Sequence, residues 1–228
     1  MKKIGKKSKK YAVKNMVSNK TQQEKTSLIS DIRKGQIAEA VIAVINESGY
    51  SNASLANIAK KAGISTALIS YYFPAKKDLM DFLLEELIKR KITYIIGWVK
   101  EADTPTEKLF AYIRAGLSYE TDHPSEGVSM TELIFNARDK NGLPYYQLES
   151  DDSDLLEEII KIVQEEGGFS NTDAKALSMM IKGSIREYTK DRQKEEEMDQ
   201  KTYGNELISV VSQLTGFSKG YTVEPLKR

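Results

Sequence analysis

Cysteine is missing from all 228 residues, so the chain has no disulfide framework, no cysteine-ligated metal and no thiol nucleophile. Histidine occurs once, as His123, directly before Pro124 in a stretch that reads as an interhelical loop. A lone imidazole excludes a two-histidine zinc motif, and this placement suits a structural role better than acid–base work. No phosphate-binding loop or dinucleotide glycine fingerprint is present, and Gly167-Gly168 reads as a helix stop. Adjacent carboxylates such as Glu85 with Glu86 and Glu157 with Glu158 diverge on a helix and read as solvated faces. The sequence therefore predicts no catalysis, no metal and no cofactor. Long apolar runs are missing too: the stretch from Ile92 to Val99 is pinned between Lys91 and Lys100, too short to cross a bilayer. A soluble, cytoplasmic protein with no membrane partner is expected.

What is there suffices for a packed core, with 40% hydrophobic and 29% charged residues. The net charge of +1 hides an asymmetry. Through Asp78 there are 15 Lys and Arg against 5 Asp and Glu; from Leu79 onward there are 19 against 28. One end suits a polyanion. Residues 1–27 read as a flexible lysine-rich arm, since Tyr11 to Ser30 lacks the apolar stretch of a signal peptide. A solubilising tail and a polyanion-binding arm both fit that composition.

Helical periodicity dominates the rest, and no strand ladder is visible. Apolar residues at Ile37, Ala38, Val41, Ile42, Val44 and Ile45 predict an amphipathic helix over 34–47, with Gly49 as a left-handed stop and 50–53 as a connection. Ser54 then reads as the cap of a two-turn helix carrying Leu55, Ile58, Ala59 and Ala62, closed by Gly63. Ser65 caps a third short helix through Phe73, ended by Pro74. A long helix from Pro74 to about Ala102 is expected from Leu84, Leu87, Ile88, Ile92, Ile95 and Val99. Further stripes follow at Phe110, Ile113 and Leu117, with Thr104 or Thr106 near the start; at Met130, Leu133 and Ile134; at Leu155 to Val163; and at Leu177 to Tyr188. The last is Tyr203, Leu207, Val211 and Leu214, followed by a loosely held tail at 218–228. All five prolines fall where helices should begin or end. The fold expected is all-α, about nine helices in two unequal parts: a head at 28–78 and a larger helical domain at 79–217.

Residues 54–73 form two short helices about a glycine turn, the helix-turn-helix arrangement that sets a helix in a DNA major groove. Any small helical hairpin can imitate that spacing. The basic excess in or before this unit, the open face formed by Thr66, Ala67, Ser70 and Tyr71, and Lys76-Lys77 just beyond it point the same way.

At these residues the sequence resembles the N-terminal domain of the tetracycline-repressor (TetR) family. The pattern appears as Ser48-Gly49-Tyr50, Ser54, Ile58-Ala59, Ala62-Gly63-Ile64-Ser65 and Tyr72-Phe73-Pro74-Ala75-Lys76, then Leu79, within about 50 residues from Arg33 to Leu84. Where many members carry Thr and Tyr in the recognition helix, this chain has Leu68 and Ser70. The resemblance implies a DNA interface at Ser54, Ser65, Thr66, Ala67, Leu68, Ser70, Tyr71, Tyr72 and Lys76. Thr66, Ser70 and Tyr71 offer groups for base edges, Ala67 close approach to a thymine methyl, and Ser54, Tyr72 and Lys76 phosphate contacts. Ser65 stands where helix-end amides face the backbone, and Leu68 either meets a thymine methyl or packs. The resemblance further implies a homodimer through the last two helices, double-stranded DNA with a palindromic operator, and a small-molecule inducer. For the inducer pocket, Trp98, Phe110, Met130 and Phe135 are favoured by their place in the central helices. Repression relieved by an apolar or amphipathic ligand is the leading expectation. Control by a protein partner, or DNA organisation without an inducer, is the alternative.

Overall fold

The computed structural model describes residues 28–139, 141–145, 152–167, 172–191 and 198–214. The lysine-rich arm at 1–27 and the tail at 218–228 lie outside the described residues. Within them the architecture is helical: α1 (28–48), α2 (Leu55–Ala62), α3 (Thr66–Tyr72), α4 (Lys76–Lys100), α5 (Pro105–Asp122), α6 (Pro124–Asn136), α7 (Asp152–Glu165), α8 (Ala174–Asp191) and α9 (Gln200–Leu214). The connection after α1 is a 3-10 turn, Tyr50–Asn52.

Local chemistry sets most of the boundaries. Gly49 has a positive φ of 79° but an extended ψ of 164°, so it redirects the chain into the 3-10 turn and does not form the left-handed cap expected of it. Pro105 opens α5 beside a capping box: the Glu107 amide donates to Thr104 Oγ1 at 3.2 Å, and the Thr104 amide to Glu107 Oε2 at 3.0 Å. The expected start of α1 at residue 34 is corrected: the helix already runs from 28, the first described residue. Its first turns expose Leu28, Ile29 and Ile32, so no core-facing periodicity marks them.

Two cores organise the molecule. The first joins α1 (Ile37, Val41, Ile45), α2 (Ile58), α3 (Ile69), the first half of α4 (Leu79, Met80, Leu83, Leu87) and α6 (Met130, Leu133), with Ala137 and Tyr145 beyond α6. The second joins the far half of α4 (Ile95, Val99) to α5, α7, α8 and α9. Helix α4 thus serves both cores, and its buried seam differs from the expected stripe. Leu79, Met80 and Leu83 are buried, whereas Leu84, Ile88 and Ile92 are half-buried.

Helix α9 also turns a different face inward. Gly204, Ile208 and Val211 are buried, while Tyr203 and Leu207 are half-buried and Leu214 is exposed. The cause is close approach to α5: a Cβ on Gly204 would lie 3.2 Å from Leu117 Cδ1. Glycine carries no hydrophobic signal, so the stripe Tyr203, Leu207, Val211, Leu214 is corrected by about one position. No helix among the described residues is long and apolar enough to cross a membrane.

Candidate nucleic-acid interface

The pair α2 and α3 is held by three side-chain and backbone devices. Ser54 Oγ accepts from the Asn57 amide at 3.2 Å, closing the N-terminus of α2. Gly63 takes the left-handed conformation at φ 66°, ψ 31°, a conformation costly for residues with a Cβ, and the Ile64 amide returns to Ala59 O at 3.0 Å. Ser65 Oγ then accepts from the Leu68 amide at 3.2 Å and starts α3. Phe73, extended and buried against Phe82 with ring centroids 5.3 Å apart, ends α3 and anchors it to α4. The helix therefore stops at Tyr72, one residue before the expected limit.

Of α3's seven residues only Ile69 is buried. Thr66, Ala67, Ser70 and Tyr71 are exposed together, Tyr71 at 78%, while Leu68 and Tyr72 are half-buried. Ser54 and Ser65 stand exposed at the two helix starts. Lys76 is half-buried with its ammonium 4.6 Å from the Tyr50 ring centre, and burial holds its pKa below the ordinary lysine value. The outcome is a narrow outward face of hydroxyl, methyl and phenol groups with no charged side chain on α3 itself.

The head is tied to the larger domain by polar contacts that sequence periodicity does not reveal. Arg90 on α4 donates to Glu39 of α1 at 3.0 Å and to Glu126 of α6 at 2.7 Å. Tyr119 donates its hydroxyl to Glu126, and burial with this bond to the carboxylate raises the phenol pKa far above its ordinary value. Asn46 of α1 donates to Ser125 O at 2.9 Å and to Ser129 Oγ at 3.0 Å, both on α6. The Tyr50 amide donates to Glu132 at 3.3 Å. An ion pair between half-buried Lys91 and buried Glu120, at 2.6 Å, lies beside this group.

The residues favoured for an inducer pocket fall in different surroundings. Phe110 is buried in the second core with Trp98 packed half-buried against it, whereas Met130 is buried in the first core. Phe135 is 37% exposed, with the Arg186 guanidinium 5.9 Å from its ring centre. His123 ends α5 and precedes α6, stacked on Tyr119 at 4.5 Å between ring centres.

Comparisons with known proteins agree with this geometry. The model for bacterial regulatory proteins of the tetR family matches residues 37–82, from the core of α1 into α4. The HTH-type transcriptional regulator BetI of Proteus mirabilis (strain HI4320) is 44% identical over 112 residues, covering 47% of this chain and 54% of that protein. The chain thus matches about half the length of this curated relative. The FadR transcriptional regulator of Bacillus subtilis, solved in complex with stearoyl-CoA, superposes with a TM-score of 0.66 at 23% identity over 77% of this chain and 96% of that one. AibR, solved with isovaleryl coenzyme A and operator DNA, superposes with a TM-score of 0.63 at 15% identity over 78% and 97%. These likenesses concern the whole helical fold, the family match its first unit. Residues 37–82, which hold its helix-turn-helix, thus carry the sequence pattern of the TetR family of bacterial regulatory proteins.

Proposed function

We propose that the protein is a homodimeric transcriptional repressor that binds a palindromic operator and leaves it when an apolar or amphipathic ligand enters the larger domain. The carrying observation is α3: Ile69 is its one fully buried side chain, with Tyr72 packed half-buried beside it, and four groups, Thr66, Ala67, Ser70 and Tyr71, are left to the outside. Groups of this kind suit base edges and thymine methyls in the major groove. Ser54, Ser65, Tyr72 and Lys76 are assigned to the flanking phosphates, and Leu68, half-buried, to packing beside a base. Residues 28–78 make the reading head and 79–217 the regulatory and dimerisation part, set in the cytoplasm.

Dimerisation is assigned to the outer face of α8 and α9. Met179, Met180, Val210 and Leu214 are exposed there, and the space around Gly183 is open. Two such faces meeting across a two-fold axis would form a four-helix contact and set the two heads one helical turn of DNA apart. For the ligand, Trp98 and Phe110 lie in the second core and Met130 and Phe135 along α6, so an occupant between α5 and α6 would bear on both. Helix α6 contributes to the head's core, and Arg90 grips α1 and α6 at once. A ligand that favours one placement of α6 would shift the population of head spacings and with it operator affinity. That two solved relatives of this fold hold acyl-CoA molecules supports an amphipathic occupant.

Sequencing of genomic fragments captured by the purified protein at two salt concentrations tests the reading. A shared palindrome that survives the higher salt is expected; capture without a common site, lost with salt, overturns it.

A further inference from the structure

The head that reads DNA carries little of the charge that DNA binding requires. Between residues 28 and 78 there are six cations and four acids, whereas residues 1–27 hold nine lysines and one acid. Several of the head's six are already engaged. Lys61 is paired with Glu47 and Lys77 with Asp81. Lys76 lies over the Tyr50 ring, Lys34 lies about 6 Å from the Phe73 and Phe82 rings, and Arg33 donates to Gln36 at 2.8 Å. Phosphate neutralisation supplies most of the sequence-independent affinity for a duplex, and α3 has no charged residue to provide it.

The point where 1–27 joins the fold matters as much as its charge. The start of α1 lies beside the recognition helix: Ile29, Ser30 and Lys34 line one open groove with Tyr71 and Tyr72. Tyr71 belongs to α3's outward face and is 78% exposed, so residue 28 enters the fold at the edge of the DNA-reading surface. A 27-residue segment extends up to about 90 Å at ~3.3 Å per residue, ample to follow a duplex beyond the half-site.

We propose that the lysine-rich segment 1–27 binds the phosphate backbone of the duplex flanking each half-site and carries most of the salt-dependent affinity, leaving α3 to discriminate bases. The proposal rests on the DNA-binding reading above and assigns the role of a segment which that reading does not use. Its consequence is a division in which sequence preference and salt dependence reside in different parts of one chain.

The test compares the full chain with a variant in which all nine lysines of 1–27 are replaced by Gln. Each selects sites from a random duplex pool. Affinity for the recovered site is then measured without flanks and with about 12 flanking base pairs per side, across roughly 50 to 250 mM KCl. The full chain should show a log–log salt slope steeper by about 3 or more and should gain from the flanks, since each neutralised phosphate adds about 0.9 to the slope. The variant should recover the same site at low salt without either effect. Equal slopes and equal flank response in the two proteins overturn the proposal. If the full chain recovers no common site, the specific-reader reading fails, and the slope difference on random duplex still decides this one. Should the ninefold variant lose its helical circular dichroism, replacing only the six lysines from Lys2 to Lys10 gives the same comparison. An intermediate slope is then expected, and an unchanged slope overturns the proposal.

Discussion

Helix α5 buries twelve of its eighteen residues; α3 buries one of seven. The first is held from several sides, with Tyr112, Ile113, Leu117 and Tyr119 each almost wholly enclosed, and even Glu120 at its far end is only 3% exposed. The second is held by Ile69, the half-buried Tyr72, a serine cap and the Phe73 anchor, and leaves four of its residues exposed. Enclosed and exposed helices are thereby separated along the chain, and the proposed function assigns stability to the first and recognition to the second. Side chains of α5 are answerable to the fold, and those of α3 to whatever the head touches.

The largest break of that contrast is expected from Ile113→Ala in α5. It removes a fully buried side chain and should cost about 2–5 kcal/mol in denaturant unfolding. DNA affinity measured well below the melting temperature should stay near that of the parent. Next comes Lys91→Met, which removes the ammonium facing the buried Glu120 carboxylate and should cost about 3 kcal/mol. Adding Glu120→Leu should restore part of that loss; a double variant no more stable than the single would show the pair is not coupled.

Tyr71→Ala should invert the pattern. Melting should move by no more than about 0.5 kcal/mol equivalent, because the ring is largely solvent-exposed. Operator affinity should fall roughly tenfold or more, a change of about 1–3 kcal/mol. Equal affinity in Tyr71→Ala and the parent would remove Tyr71 from the interface. Smaller again, Gly63→Ala forces a Cβ into the left-handed region and should cost about 1 kcal/mol of stability with a parallel loss of DNA binding.

The smallest effect concerns acid. The Glu107 carboxyl is held below its ordinary pKa, first by the Thr104 amide and then by the Thr104 side chain. A depressed carboxylate stabilises the fold above its unfolded pKa, and that contribution is lost as pH falls through the folded value. Glu107→Gln should therefore flatten the acid limb of a melting-temperature profile slightly and leave the neutral region in place.

Much of the helix layout was legible because caps and breakers are local. Ser54, Gly63, Ser65, Thr104 and Pro105 stand within four residues of the ends they define, and each does so by chemistry carried in its own side chain or φ. The faces of the long helices were harder. The inward side of α9 is chosen by Gly204 meeting Leu117, and that of early α4 by contact with the head, neither of which is a property of the helix's own sequence. Least legible was the polar tie between the two parts. Arg90 finds Glu39 fifty-one residues away and Glu126 thirty-six away, and Asn46 finds Ser129 across eighty-three. Charged and amide groups of this sort look like ordinary solvated residues until the fold brings them together. For the interface, the outward groups of α3 could be named from spacing and resemblance. The nearness of Ile29, Ser30 and Lys34 to Tyr71 required the structure.

Met130, Leu133, Ala137 and Tyr145 sit in the same apolar cluster as α1 to α3. For anyone wishing to transplant this head onto another sensor, a cut after residue 78 would remove one wall of what it was meant to preserve. The exchangeable piece is discontinuous in the gene: the first turns through early α4, together with α6 and the residues beyond it that reach the same core, Ala137 and Tyr145. Chimeras that keep both pieces would retain a sealed head, and those that keep only the first would present its inner surface to water.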